Sequence, residues 1–426
     1  MKKSLLIAAL AVFTMASCSK DEVVNVPQNE IRFAVVTENA TKAEQIYCAN
    51  NMMDNFKIFA SYKADGGTTY APYITEKDVT VNDDKTCTFT NGTHYWPDGG
   101  SLDFFAFVNA DAQNGDDIIN WSAYDANENK AQIKFTVAAD PINQKDLIYA
   151  VAPNKTNSAN ANGVALNFRH ALSQIEFRAK NLNENIYVVI DGVKVCNLEG
   201  GTQTYTLPVE DTKDQIIDHD QDGKVDNPAD PDNVADLQYY ANTRGTWVTP
   251  ATPSYNDYVI SFEEKKLAGD NEATAIELTP YTDNQEYSAN SMLLMPQKRD
   301  AWVPTDADCA KPDSDANTKV YFAVKCRIYN VAGTEYDENT DIMLWGATDG
   351  SKQVSKYAAI PVEINWMEGK KYIYTFVFDK DGNGGYNPDP EDPSEPEPVL
   401  TPIKLTVSVD DFTMQTETEL DMDAVI

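Results

Sequence analysis

The residues best placed to do chemistry are acidic. Asp218, Asp220, Asp222 and Asp226 surround a turn glycine in Asp218-His219-Asp220-Gln221-Asp222-Gly223-Lys224-Val225-Asp226. Alternating carboxylates before a glycine are the arrangement that wraps an oxygen-seeking cation, and calcium is the ion it fits. The bidentate glutamate that closes such loops is missing, because Ala229 stands in its place and Asp230 follows. The site therefore holds calcium weakly unless Asp230 or Asp232 closes it, and the alternative is a solvated acidic insertion. Asp379-Lys380-Asp381-Gly382-Asn383-Gly384 is a fainter copy that reads as a flexible turn. Enzyme chemistry finds little to work with. Only His94, His170 and His219 are available as imidazole bases or ligands, and zinc or Ser-His-Asp sites need such groups. Acidic residues are too abundant for any pair to stand out as an acid and base. No catalytic residue is assigned and no cofactor is required.

Six cysteines are present, without CxxC or other metal-ligand spacing. Cys87, Cys196 and Cys326 lie in strand-like runs and read as small buried residues, while Cys48 and Cys309 have no assigned role. Cys18 is different. It follows Lys2-Lys3, an apolar run from Leu5 to Met15, and Ala16-Ser17. The run is too short to span a bilayer and reads as a cleavable signal over residues 1–17. Its end resembles the lipobox of bacterial lipoproteins, which implies cleavage before Cys18, acylation there and an outer-membrane anchor. Ser19-Lys20-Asp21-Glu22 is similar to the acidic signal by which Bacteroidetes lipoproteins reach the cell surface. The alternative is an ordinary signal peptide with a chance cysteine.

The elements that must position such residues are strands. Short alternating runs recur, among them Ile31–Thr37, Phe56–Tyr62, Leu102–Val108, Gln174–Ala179, Val320–Tyr329 and Tyr372–Phe378, separated by Asn, Asp, Gly and Pro. This predicts an all-β chain of antiparallel sheets packed face to face. The number of runs exceeds one small sandwich, so two domains are expected, 43–160 and 161–378, divided at the Asn-rich stretch 154–163. Residues 379–398 are rich in proline and acid and read as a solvated tether. Beyond it, Ile403, Leu405, Val407 and Val409 share one face of a last strand within 399–426. A net charge of −33, from 67 acidic against 34 basic residues, argues against a nucleic-acid partner.

Spaced segments then carry a resemblance. They are Tyr95-Trp96-Pro97, Leu102–Phe107, Asp146–Ala150, Phe168–Ile175, Met292–Gln297, Trp366–Tyr374 and Leu400–Ile403. In order and spacing the chain resembles the Bacteroidetes fimbrillin family, builders of type V pili. The resemblance implies two transthyretin-like β-sandwiches in tandem, and polymerisation with other fimbrillin subunits by donor-strand exchange at the cell surface. An N-terminal strand fills a groove in the lipoprotein precursor, a trypsin-like protease removes it, and a neighbour's strand replaces it.

The parts are present. Ile31, Phe33 and Val35 share one face of a removable strand inside a propeptide of residues 18–42. Lys42-Ala43 aligns with the cleavage site, where the family more often has arginine. The face of Ile403, Leu405, Val407 and Val409 has the same period and fits the role of donor. Asp410-Asp411 breaks its alternation, and a bulge there would re-aim Phe412 and Met414. Alternatively, both strands are ordinary edges of one molecule. A stalk subunit needs both devices, a tip only a groove, and an anchor keeps its strand and lipid. A surface glycan-binding lipoprotein, stacking sugars on Trp96, Trp121, Trp302 or exposed tyrosines, is the remaining class.

Overall fold

In a computed structural model of the chain, the alternating runs that it describes become strands. The structure describes residues 29–36, 54–82, 86–108, 117–119, 131–159, 163–209, 244–278, 291–304, 318–331, 336–337, 340–380, 384–392 and 395–411. Within them the one helical element is a short 3-10 turn at Pro141–Asn143.

The N-terminal sheet contains β1 (Phe33–Val36), β2 (Asn55–Lys63), β3 (Tyr70–Val81), β4 (Thr86–Phe89) and β5 (Ser101–Val108). Two strands, β6 (Asp117–Ile119) and β7 (Gln132–Thr136), belong elsewhere. The sheet is completed by β8 (Ile148–Lys155), β9 (Val164–Asn167) and β10 (Arg169–His170). Its order is β10-β8-β5-β2-β3-β4-β1-β9. The strands at its two ends, β9 and β10, are separated in sequence by Phe168 alone, so the sheet must curl to bring its ends together.

The C-terminal half supplies β11 (Ser173–Asn181), β12 (Ile186–Gly200), β13 (Thr202–Thr206), β14 (Thr246–Val248), β15 (Ser254–Ala268) and β16 (Ile276–Glu277). There follow β17 (Met292–Leu294), β18 (Lys298–Arg299), β19 (Tyr321–Asn330), β20 (Ile342–Trp345), β21 (Ala347–Asp349) and β22 (Lys352–Val354). The series ends with β23 (Lys356–Pro361), β24 (Ile364–Asn365), β25 (Lys370–Phe378), β26 (Gly384–Tyr386) and β27 (Pro398–Asp411). The main sheet runs β15-β12-β19-β23-β26-β27-β25-β11-β16, with β17 on β11 and β20 on β19.

A third sheet, β14-β13-β7-β6, takes strands from both halves. The apolar packing follows the same course. Phe56, Ile58, Phe104, Ala106, Ile148 and Ala150 point into a core enclosed by the curled sheet. The alternate residues Phe59, Phe105, Phe107, Tyr149 and Val151 point outward into a larger core, shared with β7, β13 and the C-terminal sheet. Buried on both faces, β5 reads as the unbroken run Ser101-Leu102-Asp103-Phe104-Phe105-Ala106-Phe107-Val108.

Two details differ from the sequence reading. The stretch 154–163 joins β8 to β9 inside the N-terminal sheet, and the chain passes to the C-terminal sheet only at Ala171–Leu172. Surface loops and domain linkers have the same composition, so the Asn-rich run marked a loop. The runs around Ile186–Ile190 and Val193–Leu198 form one strand, β12, with register shifts between Ile190 and Gly192 against both neighbours.

Candidate functional site: a groove filled by the first strand

The segment Asn29–Val36 lies in a groove of the N-terminal sheet. Its entry is held by backbone bonds: Trp96 N donates to Asn29 O at 2.7 Å and Ile31 N to His94 O at 2.8 Å. Further on, β1 pairs antiparallel with β4, Phe33 opposite Cys87 and Ala34 opposite Thr86. On its other side it pairs parallel with β9, from Phe33–Val164 to Val36–Asn167. Val164 N donates to Arg32 O at 2.7 Å. Gly163 makes this approach with φ +106°, a conformation disfavoured for residues bearing a Cβ.

The side chains alternate as the sequence predicts where they are described. Ile31 and Phe33 are 1% and 2% exposed, whereas Arg32 faces solvent and pairs with Glu30 at 3.3 Å. The Phe33 ring stands edge-on to Phe104, Phe89 and Phe56, with centroids 5.2, 5.6 and 6.3 Å away. Val35 pairs through its backbone with Leu166, and its side chain lies outside the described residues. Withdrawing this segment would open two sheet edges and uncover an aromatic floor. Burial of Ile31 and Phe33 contributes roughly 1.5–3 kcal/mol each. The second wall, β9 with buried Val164 and Leu166, was not foreseen as part of a groove, since no local signal marks which strands become neighbours.

The strand read as a donor lies in its own chain. β27 runs antiparallel to β25 from Ile403–Phe378 to Asp411–Lys370. Ile403 is 1% exposed, and half-buried Leu405, Val407 and Val409 pack on the large core while Lys404 and Thr406 face solvent. The other edge of β27 meets β26 at Pro398 and Ile403, and beyond Ile403 it has no strand partner among the described residues. The ladder is regular through Asp410 and Asp411, which fall opposite Lys371 and Lys370, so no bulge intervenes there. Phe412 and Met414 lie outside the described residues.

The segment 379–398 departs from the expected solvated tether. Gly384–Tyr386 is a sheet strand between β23 and β27, and the Tyr386 ring stands perpendicular to buried Trp302 at 5.6 Å. Asn387 is buried, its N donating to Glu397 O at 2.8 Å and its Nδ2 to Glu397 Oε2 at 2.7 Å. Backbone pairing and one aromatic anchor seat a segment whose composition alone gives no core.

Cys18, Lys42, Ala43, Asp218, Asp220, Asp222 and Asp226 lie outside the described residues, as do Cys48, Cys309 and Trp121. Cys87, Cys196 and Cys326 are buried, and burial pushes the Cys326 thiol well above the usual cysteine range. Trp96 and Trp302 are buried and offer no sugar-stacking platform. His170 Nδ1 lies 2.8 Å from the buried Asp146 carboxylate. Among the described residues no group of three His, Cys, Asp or Glu side chains is placed to hold a metal.

The family profile described as fimbrillin-like matches residues 39–391. A fimbrial protein from Bacteroides vulgatus has a similar crystal structure, with a TM-score of 0.54 at 14% identity, covering 90% of this chain and 100% of that one. The tip fimbrial protein Mfa3 from Porphyromonas gingivalis, C-terminally truncated, aligns at 10% identity over 90% of this chain and 99% of that one, with a TM-score of 0.32. No curated protein matches the chain.

Proposed function

Because the chain belongs to the fimbrillin-like family, whose subunits assemble with other fimbrial subunits, we propose that it is a polymerising subunit of a surface fimbria, in the stalk. The observation that carries this reading is the seat of β1: a short strand, flanked on both edges and closing an aromatic core. Lys42 follows this strand in the chain, so cleavage between Lys42 and Ala43 would free it from the folded body. A neighbour's strand then occupies the groove, and the face of Ile403, Leu405, Val407 and Val409 has the apolar period required. Before cleavage the Cys18 lipid holds the precursor at the outer membrane, and the finished polymer supports adhesion. Calcium held by Asp218, Asp220, Asp222 and Asp226 is an accessory to this function and no part of the strand exchange.

A second reading follows from β27. Its complete pairing with β25 favours a subunit that keeps its own strands, as an anchor or a non-polymerising glycan-binding lipoprotein does. A specific protease site engineered between residues 37 and 42 separates the two. Cleavage of the purified chain should release residues preceding the site and produce a ladder of polymers in native gels. A cleaved chain that keeps β1 bound and stays monomeric would support the second reading.

A further inference from the structure

The segments that carry the family resemblance are scattered in sequence, yet several meet at one place. The chain crosses between the two large sheets at Ala171-Leu172-Ser173, and the turn Trp366–Gly369 docks on that crossing. Gly369 N donates to Leu172 O at 2.9 Å and Ser173 Oγ to Met367 O at 2.8 Å. Trp247 Nε1 donates to Ala171 O at 2.8 Å. Gly369 has φ +66°, which turns the chain directly after Glu368.

Glu368 is half-buried as a residue, with its carboxylate turned into the joint. Tyr149, from β8 of the N-terminal sheet, donates to Oε1 at 3.0 Å. Tyr205, from β13 of the shared sheet, donates to Oε2 at 2.7 Å, and Gly245 N donates to Oε1 at 3.2 Å. The Tyr149 and Tyr205 rings lie 5.3 Å apart, and Trp247 sits 4.6 Å from Tyr205. A Cβ on Gly245 would fall 2.0 Å from the Tyr205 ring, so only glycine brings its amide to the carboxylate without displacing that ring. One side chain thus accepts from three elements that belong to different sheets or to the connection between them.

We propose that Glu368 is the pin that couples the N-terminal and C-terminal halves, so that they unfold and move as one body. The apolar core crosses the same boundary, but apolar packing is non-directional and tolerates sliding. Hydrogen bonds from Tyr149, Tyr205 and Gly245 to one carboxylate fix a single angle. This inference rests on the joint alone and is independent of strand exchange.

Calorimetry of the full chain tests it, comparing wild type with Glu368→Ala, Glu368→Gln and the remote core control Val324→Ala. Wild type should unfold in one transition, and Val324→Ala should lower that transition without dividing it. Glu368→Ala should divide it into two, while Glu368→Gln, which keeps an acceptor oxygen, should restore a single one. A Glu368→Ala protein with one transition, shifted no differently from the control, would overturn the proposal. Tyr149→Phe covers the case in which Glu368→Ala fails to fold. Amide exchange should quicken about tenfold at 169–173 and 366–369 and stay unchanged in β12 and β19. Unchanged protection at the joint in that variant would overturn the proposal equally.

Discussion

At the centre of the groove one ring, Phe33, touches three others, and no polar atom compensates for its removal. Phe33→Ala in the unprocessed chain should cost about 3–5 kcal/mol in urea unfolding, the range for truncating a buried phenylalanine. In protein already cleaved after Lys42 the same substitution should have no effect, because the strand has left. The second residue-scale prediction concerns Glu368. Burial raises its pKa above the usual carboxylate value, opposed by Arg244, by the Tyr205 and Tyr149 hydroxyls and by Gly245 N. The folded state therefore binds this proton more tightly than the unfolded chain. Its contribution to stability is complete below the unfolded carboxylate pKa, about 4.3, and is lost as pH rises through the folded value. The melting temperature of wild type relative to Glu368→Gln should fall from pH 4 towards neutrality, and comparing the two cancels the titration of every other group. At neutral pH Glu368→Ala leaves the two phenols without their acceptor, at a cost of about 1–3 kcal/mol each.

The strands differ in how openly the sequence announces them. Ile31 and Phe33, and Ile403 with Leu405, Val407 and Val409, repeat every second residue, and that period alone assigns their faces. Nothing local says that β1 lies between β4 and β9, or that β27 lies against β25, because pairing is decided by residues far apart in the chain. The acidic segment 379–398 misleads for the same reason: its one aromatic, Tyr386, finds Trp302 far along the chain. Glu368 was legible only as part of a recognisable stretch, since its partners come from β8, β13 and the approach to β14. If β27 is the donor, as proposed, it must leave β25 once β1 has gone, and this gives a direct test. Thr375 and Thr406 are opposite each other on the outer face of β25 and β27. A disulfide between cysteines at these two positions should lock β27 at home and stop polymer growth, and reductant should restore it. Growth that continues with the disulfide intact would remove β27 from the donor role.

Among the described residues the N-terminal, third and C-terminal sheets share one large core, and the sequence carries a net charge of −33. Subunits of one sign repel as they meet, and salt screens that repulsion over about 10 Å at 0.1 M. Polymer growth after cleavage should therefore quicken as ionic strength rises from about 20 to 200 mM, followed by light scattering. Growth slowed by salt would instead indicate that opposite charges guide the contact. The central claim, that β1 is a plug removed before assembly, is tested most directly on protein sheared from its native cell surface. N-terminal sequencing and intact mass should show a chain that begins at Ala43 and carries no lipid. A chain that begins at acylated Cys18, with β1 still in place, would contradict it.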